Sequence, residues 1–189
     1  MNFKHRLILA SSSPRRQFLM KEAGFDFTLE KPEGDESFSS SMPVNEVPGF
    51  LAEKKAKSIA YKIQDDDVIL TSDTVVILEG QILNKPQDRA DAIAMLTQLS
   101  GKTHTVITAV CLLSKSKKDC FEDSTKVTFK ELSEEEIIHY VDRYQPFDKA
   151  GAYGAQDWIG MVAITKIEGS YFTVMGLPMH KVYTHLQQF

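Results

Sequence analysis

The chain has 189 residues, 25% charged and 42% hydrophobic, a composition that supports one globular domain, undivided or in two lobes. Its net charge of -4 and pI near 5.7 exclude the broad electropositive surface that non-specific binding of long DNA or RNA requires. Cys111 and Cys120 are too few for a disulfide framework, match no zinc spacing and read as reduced thiols, and no run of about eighteen apolar residues predicts a membrane span.

The apolar run Leu7 to Ala10 is too short for a signal-peptide core, and with unpaired cysteines the expected compartment is the cytoplasm. This run reads as a first strand ending in Ser11-Ser12-Ser13. Pro14 then opens a helix with Ser13 as its N-cap, and Gly24 stops that helix after about Ala23. Phe25 to Leu29 alternates as a strand should, and the polar segment Glu30 to Met42 is a loop whose length points to function. Leu51, Ala52, Ala56, Ile59 and Ala60 recur at helical spacing, which predicts an amphipathic helix from about Glu46 to Ile63. Val68 to Leu70 and Val75 to Leu78 are strand-like, with Thr71-Ser72-Asp73-Thr74 as an interruption, before Glu79-Gly80 turns the chain into Gln81 to Leu83.

Asp88 to Leu99 reads as a helix closed by Gly101, followed by strands over Thr103 to Leu113 and Thr125 to Phe129. Ser133 and Glu136 form a capping box for a helix reaching about Tyr144. Gln145 to Trp158 holds Asp148, Lys149, Gly151, Gly154 and Gln156, too glycine-rich for a helix interior and too polar for a core strand, so it is a second candidate site loop. Met161 to Ile167 and Tyr171 to Met175 predict a hairpin around Glu168-Gly169-Ser170, and Pro178 starts a last helix. Alternating strands and helices make this an α/β chain.

A strand that ends in small hydroxyl residues and feeds a helix with Arg15 and Arg16 in its first turn is an anion site on physical grounds. The bland alternative is a well-capped helix with two solvated arginines. Asp73 interrupts an apolar stretch, where a carboxylate is costly to bury without a partner, and Glu36 sits in the polar loop; two such groups can share a magnesium ion with phosphate oxygens. Lys55 and Lys85 are possible phosphate contacts that pattern alone leaves as surface lysines. Other chemistries lack their motifs: Leu96 stands where a P-loop ending at Gly101-Lys102-Thr103 needs its first glycine, and there is no G-x-G-x-x-G, H-E-x-x-H or G-x-S-x-G.

Taken in order, LILASSSPRR, LAEKKA, SDT, LNKPQD, LSGKTHTVITAV, DKAGAYGAQ and GSYFTVMGLP resemble the Maf family of nucleotide pyrophosphatases, over about Leu7 to Leu186. The resemblance implies a single domain over residues 1–189 with an elongated two-lobed mixed sheet and flanking helices. This is similar to the inosine triphosphate pyrophosphatase fold, with a nucleotide cleft between the lobes. It further implies triphosphate binding by Ser11, Ser13, Arg15, Arg16 and Lys85, with Glu36, Lys55 and Asp73 as catalytic groups and Glu36 and Asp73 as ligands of Mg²⁺ or Mn²⁺. Glu33 and Asp35 are rivals of Glu36, and Asp73 is either metal ligand or base.

Gln156, in Tyr153-Gly154-Ala155-Gln156, resembles the dTTP/UTP branch; a glutamate there marks another branch. A glutamine amide can give N–H to one pyrimidine carbonyl and accept from N3–H, provided its neighbours fix its orientation, and backbone groups of Gly151 to Ala155 are the expected restraint. Ser72 replaces a common alanine, and Ala155-Gln156-Asp157-Trp158 departs from the usual isoleucine, glutamine and glycine run. The implied reaction is hydrolysis of dTTP, UTP or modified pyrimidine nucleotides to monophosphate and pyrophosphate, with a homodimer as the family expectation. The alternatives are a pyrophosphatase for a methylated guanosine triphosphate and a nucleotide-binding cell-division regulator.

Overall fold

The computed structural model describes residues 3–189. Its strands are β1 (Arg6–Ala10), β2 (Thr28–Glu30), β3 (Asp67–Leu78), β4 (Gln81–Leu83), β5 (Thr103–Leu113), β6 (Lys118–Phe129) and β7 (Ile164–Glu168). The helices are α1 (Pro14–Glu22), α2 (Val47–Ser58), α3 (Arg89–Leu99), α4 (Glu134–Tyr144), α5 (Trp158–Ala163), α6 (Tyr171–Met175) and α7 (Met179–Gln188). The strands form one mixed sheet in the order β2-β1-β3-β5-β6-β7, with β4 paired to β3. Among the described residues, no helix is long and apolar enough to cross a membrane.

The chain divides into two compact units, each discontinuous in sequence: residues 1–73, 108–123 and 176–189, and residues 74–107 and 124–175. In the first unit β1 pairs in parallel with both β2 and β3, and Arg6 holds the edge of the β1–β3 register by a two-pronged ion pair to Asp67, at 2.6 and 2.8 Å. Against β5, helix α2 packs through Ala52 and Ala56 on Ala109 and Cys111. Such small side chains let a helix lie close to a sheet, and this sets where Lys55, on the same helix, can reach. In the core of the second unit, α3 and α4 cover β3, β5 and β6 residues with Leu96, Leu99, Ile137 and Tyr140 against Val76, Val106 and Phe129.

Several expectations change on contact with this structure. Residues 71–74 do not interrupt a strand: β3 runs unbroken, because each polar side chain there that points inward has a partner, Thr71 donating to the Ala52 carbonyl at 2.7 Å and Ser72 to the Gly176 carbonyl at 3.2 Å. Tyr171 to Met175 is helical, so only β7 of the expected hairpin exists. The chain turns away after β7 because Ser170 is tied to Thr125 in both directions, N–H to Oγ1 at 2.9 Å and Oγ1–H to carbonyl at 3.1 Å. Strand β6 also begins earlier than alternation suggested, and with β5 it forms a hairpin closed by the Ser114 N–H to Lys117 carbonyl bond of 2.9 Å. That hairpin corrects the reading of the cysteines. Cys111 and Cys120 lie directly across from one another with Cα atoms 4.1 Å apart and are joined in a disulfide, so unpaired thiols no longer support a cytoplasmic address.

Candidate functional site

In the first unit, β1 delivers Ser11 to the head of α1. Ser11 is buried, and its Oγ accepts the Ser13 N–H at 3.2 Å. Ser13 is the N-cap by position, yet its hydroxyl makes no capping bond, and the positive end of the α1 dipole lies beside Arg15 and Arg16. From that turn Arg16 reaches inward, giving Nε–H to the Gly176 carbonyl at 2.8 Å and Nη1–H to the Ser72 carbonyl at 2.9 Å. Enclosure of the guanidinium draws its pKa down to about 10, against the pull of Asp73, with Arg15 adding repulsion and Glu36 attraction. Arg16 is therefore a structural tie as well as a charge, which the reading of two solvated arginines did not foresee. Ser72, flagged only as a departure from alanine, bonds the same carbonyl as Arg16.

Asp73 follows Ser72 on β3 and is 7% exposed. Burial pushes its carboxyl above the usual aspartate value, and Lys55 opposes that shift through charge and a hydrogen bond of 2.5 Å to Oδ1. The Lys55 ammonium also lies 2.7 Å from Glu36 Oε1. One cation thus spans two carboxylates, from α2, β3 and the loop after β2. The rivals of Glu36 point elsewhere: Asp35 pairs with Lys54 at 2.5 Å, and Glu33 accepts from the Tyr61 hydroxyl at 2.7 Å. The loop residue that meets Asp73 through Lys55 is Glu36.

Two carboxylates converging on one ammonium form a hard-oxygen donor pair suited to Mg²⁺ or Mn²⁺. Among the described residues no cluster of three or more metal-ligating side chains occurs. Such an ion would therefore complete its shell with water and phosphate oxygens, as magnesium commonly does.

Lys85 and Gln156 belong to the second unit. Lys85 is exposed just after β4, beside Asn84, whose carbonyl accepts the Gly151 N–H at 3.1 Å. Within the second candidate site loop, residues 151–155 are buried. Gly151 sits at φ 67°, a conformation that strains other residues, and a Cβ there would press to 3.0 Å on a Val76 methyl. Tyr153 bonds His104 Nε2 at 2.7 Å, and burial lowers the His104 pKa to about 4, which keeps the imidazole neutral at neutral pH.

The amide of Gln156 is held by a side chain, not by the backbone of 151–155. Its Nε2 donates to Asp157 Oδ1 at 3.1 Å, while Tyr140 donates its hydroxyl to Asp157 Oδ2 at 2.7 Å and accepts the Gly154 N–H at 3.1 Å. Gln156 Oε1 is buried and has no hydrogen-bond partner among the described residues. A Cβ on Gly154 would stand 2.6 Å from both Asp157 Oδ2 and Gln156 Nε2, so a side chain there would have to displace the ends of these two groups. No spacing in the sequence joins Tyr140 to Asp157; their meeting depends on how α4 packs.

A family model described as Maf-like protein matches residues 6–189. The chain is similar to the dTTP/UTP pyrophosphatase of Bacteroides fragilis, 47% identical over 186 residues that cover 98% of this chain and 96% of that one. Similar proteins of the same description occur in Flavobacterium johnsoniae, 44% identical over 97% and 94% of the two chains, and in Porphyromonas gingivalis, 45% identical over 98% and 95%. Among solved structures, the Staphylococcus aureus Ham1 protein is similar at a TM-score of 0.49 and 11% identity, covering 66% of this chain and 71% of its own.

Proposed function

The chain belongs to the Maf family, and from that premise we propose that it hydrolyses nucleoside triphosphates, dTTP and UTP foremost, to the monophosphate and pyrophosphate. We read residues 1–189 as a single catalytic domain, since neither compact unit is one continuous stretch of chain. The observation that carries the reading is Lys55 held between Glu36 and Asp73, with Arg16 facing the same two carboxylates. An array of alternating charge with two arginines at a helix head matches what a triphosphate and its counter-ion need.

In this reading Arg15 and the positive end of the α1 dipole attract the phosphate oxygens, and Lys85 adds a further positive charge. Glu36 and Asp73 would hold Mg²⁺ or Mn²⁺, which when bound polarises the phosphates. Water attacks the α-phosphorus, its proton passes to Asp73, and the bond to the bridging oxygen breaks to release pyrophosphate. Asp73 accepts that proton where the ion rests on Glu36 and the phosphates; as a ligand of the ion it orients the water instead. Lys55 holds Asp73 and Glu36 in register and offsets their repulsion. Gln156 reads the base.

The activity is placed in the cytoplasm, where nucleoside triphosphates are plentiful, although the Cys111–Cys120 bond would meet a reducing thiol pool there. A homodimer belongs to the same reading and is checked by light scattering. The deciding experiment is pyrophosphate release over a panel of nucleoside triphosphates with Mg²⁺ or Mn²⁺. Turnover of dTTP and UTP is expected, and no turnover of any nucleotide would overturn the proposal.

A further inference from the structure

The chain of hydrogen bonds around Gln156 has only one possible polarity. Tyr140 is fully buried, and burial together with the Asp157 carboxylate pushes its phenol well above the usual tyrosine range, so it stays a donor. It accepts from Gly154 N–H and gives its proton to Asp157 Oδ2. Among the described residues the cation recorded near that oxygen is Lys149, at 3.9 Å and itself paired with Asp148 at 2.7 Å. A carboxylate offers acceptors alone, so Asp157 Oδ1 can be met only by the NH₂ end of the Gln156 amide. The carbonyl end is then forced away from Asp157, and Oε1 is the atom left buried without a donor. A buried carbonyl in that state is costly unless a ligand supplies the missing proton.

We propose that Asp157, braced by Tyr140, is a positioning residue that locks the Gln156 amide with Oε1 as an unpaired acceptor, selecting pyrimidines that carry N3–H over cytosine. The proposal rests on the reading that Gln156 contacts the base. Uracil and thymine offer a donor at N3 and a carbonyl at position 4, whereas cytosine offers an unprotonated N3 and an amino group at position 4. For a ring held in one place, cytosine needs the amide turned over. Asp157 forbids that turn, because a flipped amide would set Oε1 against the carboxylate.

The test compares kcat/KM for UTP and CTP in the wild type and in Gln156→Ala, Asp157→Asn, Asp157→Glu and Tyr140→Phe. The wild type should favour UTP by about tenfold or more. An asparagine at 157 can meet either end of the amide, so Asp157→Asn should bring the ratio to within about threefold of unity, in part by a gain on CTP that general damage does not produce. Asp157→Glu, still acceptor-only, should keep most of the preference. A wild-type ratio in Asp157→Asn alongside a collapsed ratio in Gln156→Ala would overturn the lock alone. Unchanged ratios in both would overturn the lock together with the Gln156 reading. Should Asp157→Asn fail to fold, Tyr140→Phe decides: a reduced ratio supports the lock, and a wild-type ratio overturns it.

Discussion

The two units hold their clustered polar groups in opposite ways. In the first, Glu36, Lys55, Asp73 and Arg16 are charged and neutralise one another, at the cost of shifted titration: the Asp73 carboxyl is pushed up and the Arg16 guanidinium comes down to about 10. In the second, neutral His104, Tyr153, Tyr140 and Gln156 are organised by direction of donation, the last two around the single carboxylate of Asp157. Charge falls off slowly with distance and tolerates small displacements, while a hydrogen bond loses its value over a few tenths of an ångström or a wrong angle. The first arrangement suits binding and reaction of phosphates. The second suits discrimination.

The largest effect should come from removing the central charge of the first unit. Asp73→Asn is expected to lower turnover by about 10² or more, the usual contribution of a positioned acid or base. Its thermal stability should hold or rise. Burial raises the Asp73 pKa, so the folded protein binds that proton more tightly than the unfolded chain does. Stability therefore falls as pH rises through the raised value, and the amide removes that loss. Pyrophosphate release and melting curves on the same preparation check both halves. Near-normal activity in a folded variant would break the contrast.

Next in size is the arginine pair at the head of α1. Arg16→Ala leaves the Ser72 and Gly176 carbonyls without their guanidinium donor and should lower stability by about 2 kcal/mol or more, read by chemical denaturation. Arg15→Ala should act more on KM than on the melt, and equal melting losses in the two variants would show that both arginines are structural. The smallest change sharpens the second unit. Gly154→Ala puts a methyl against Asp157 and Gln156 and should raise KM for UTP by about three- to tenfold with kcat little altered. An unchanged KM would mean that the network yields without consequence.

Sequence reasoning found the repeating parts well and the meetings badly. Capping boxes, glycine stops and periodicity are local signals, and α1, α2, α3, α4 and α7 lie close to where those signals put them. The break expected at Thr71 to Thr74 was absent because its polar groups are satisfied from Ala52, Gly176 and Lys55, none of which is near in sequence. Glu36 could not be separated from Glu33 and Asp35 on pattern; the partners of each side chain distinguish them. Asp157 had no signal beyond an unusual residue at its position, since its role depends on Tyr140, seventeen residues earlier on α4. The cysteine pair was misread for a related reason: a spacing of nine has meaning only once both residues lie across one hairpin.

The carbonyl of Gly176 has one more consequence, for the order in which the protein is made. Arg16 and Ser72 both donate to it, yet it lies in the segment 176–189 that completes the first unit. During synthesis, at roughly 5 to 20 residues per second, a nascent chain that has already delivered the serines, arginines, Lys55 and Asp73 still lacks the acceptor for two of its buried donors. The phosphate side therefore reaches its final form only after the whole second unit has been translated. A ribosome-bound chain ending before Gly176 should carry every charged group proposed for catalysis and still hold Arg16 without its Gly176 anchor, so competence arrives late.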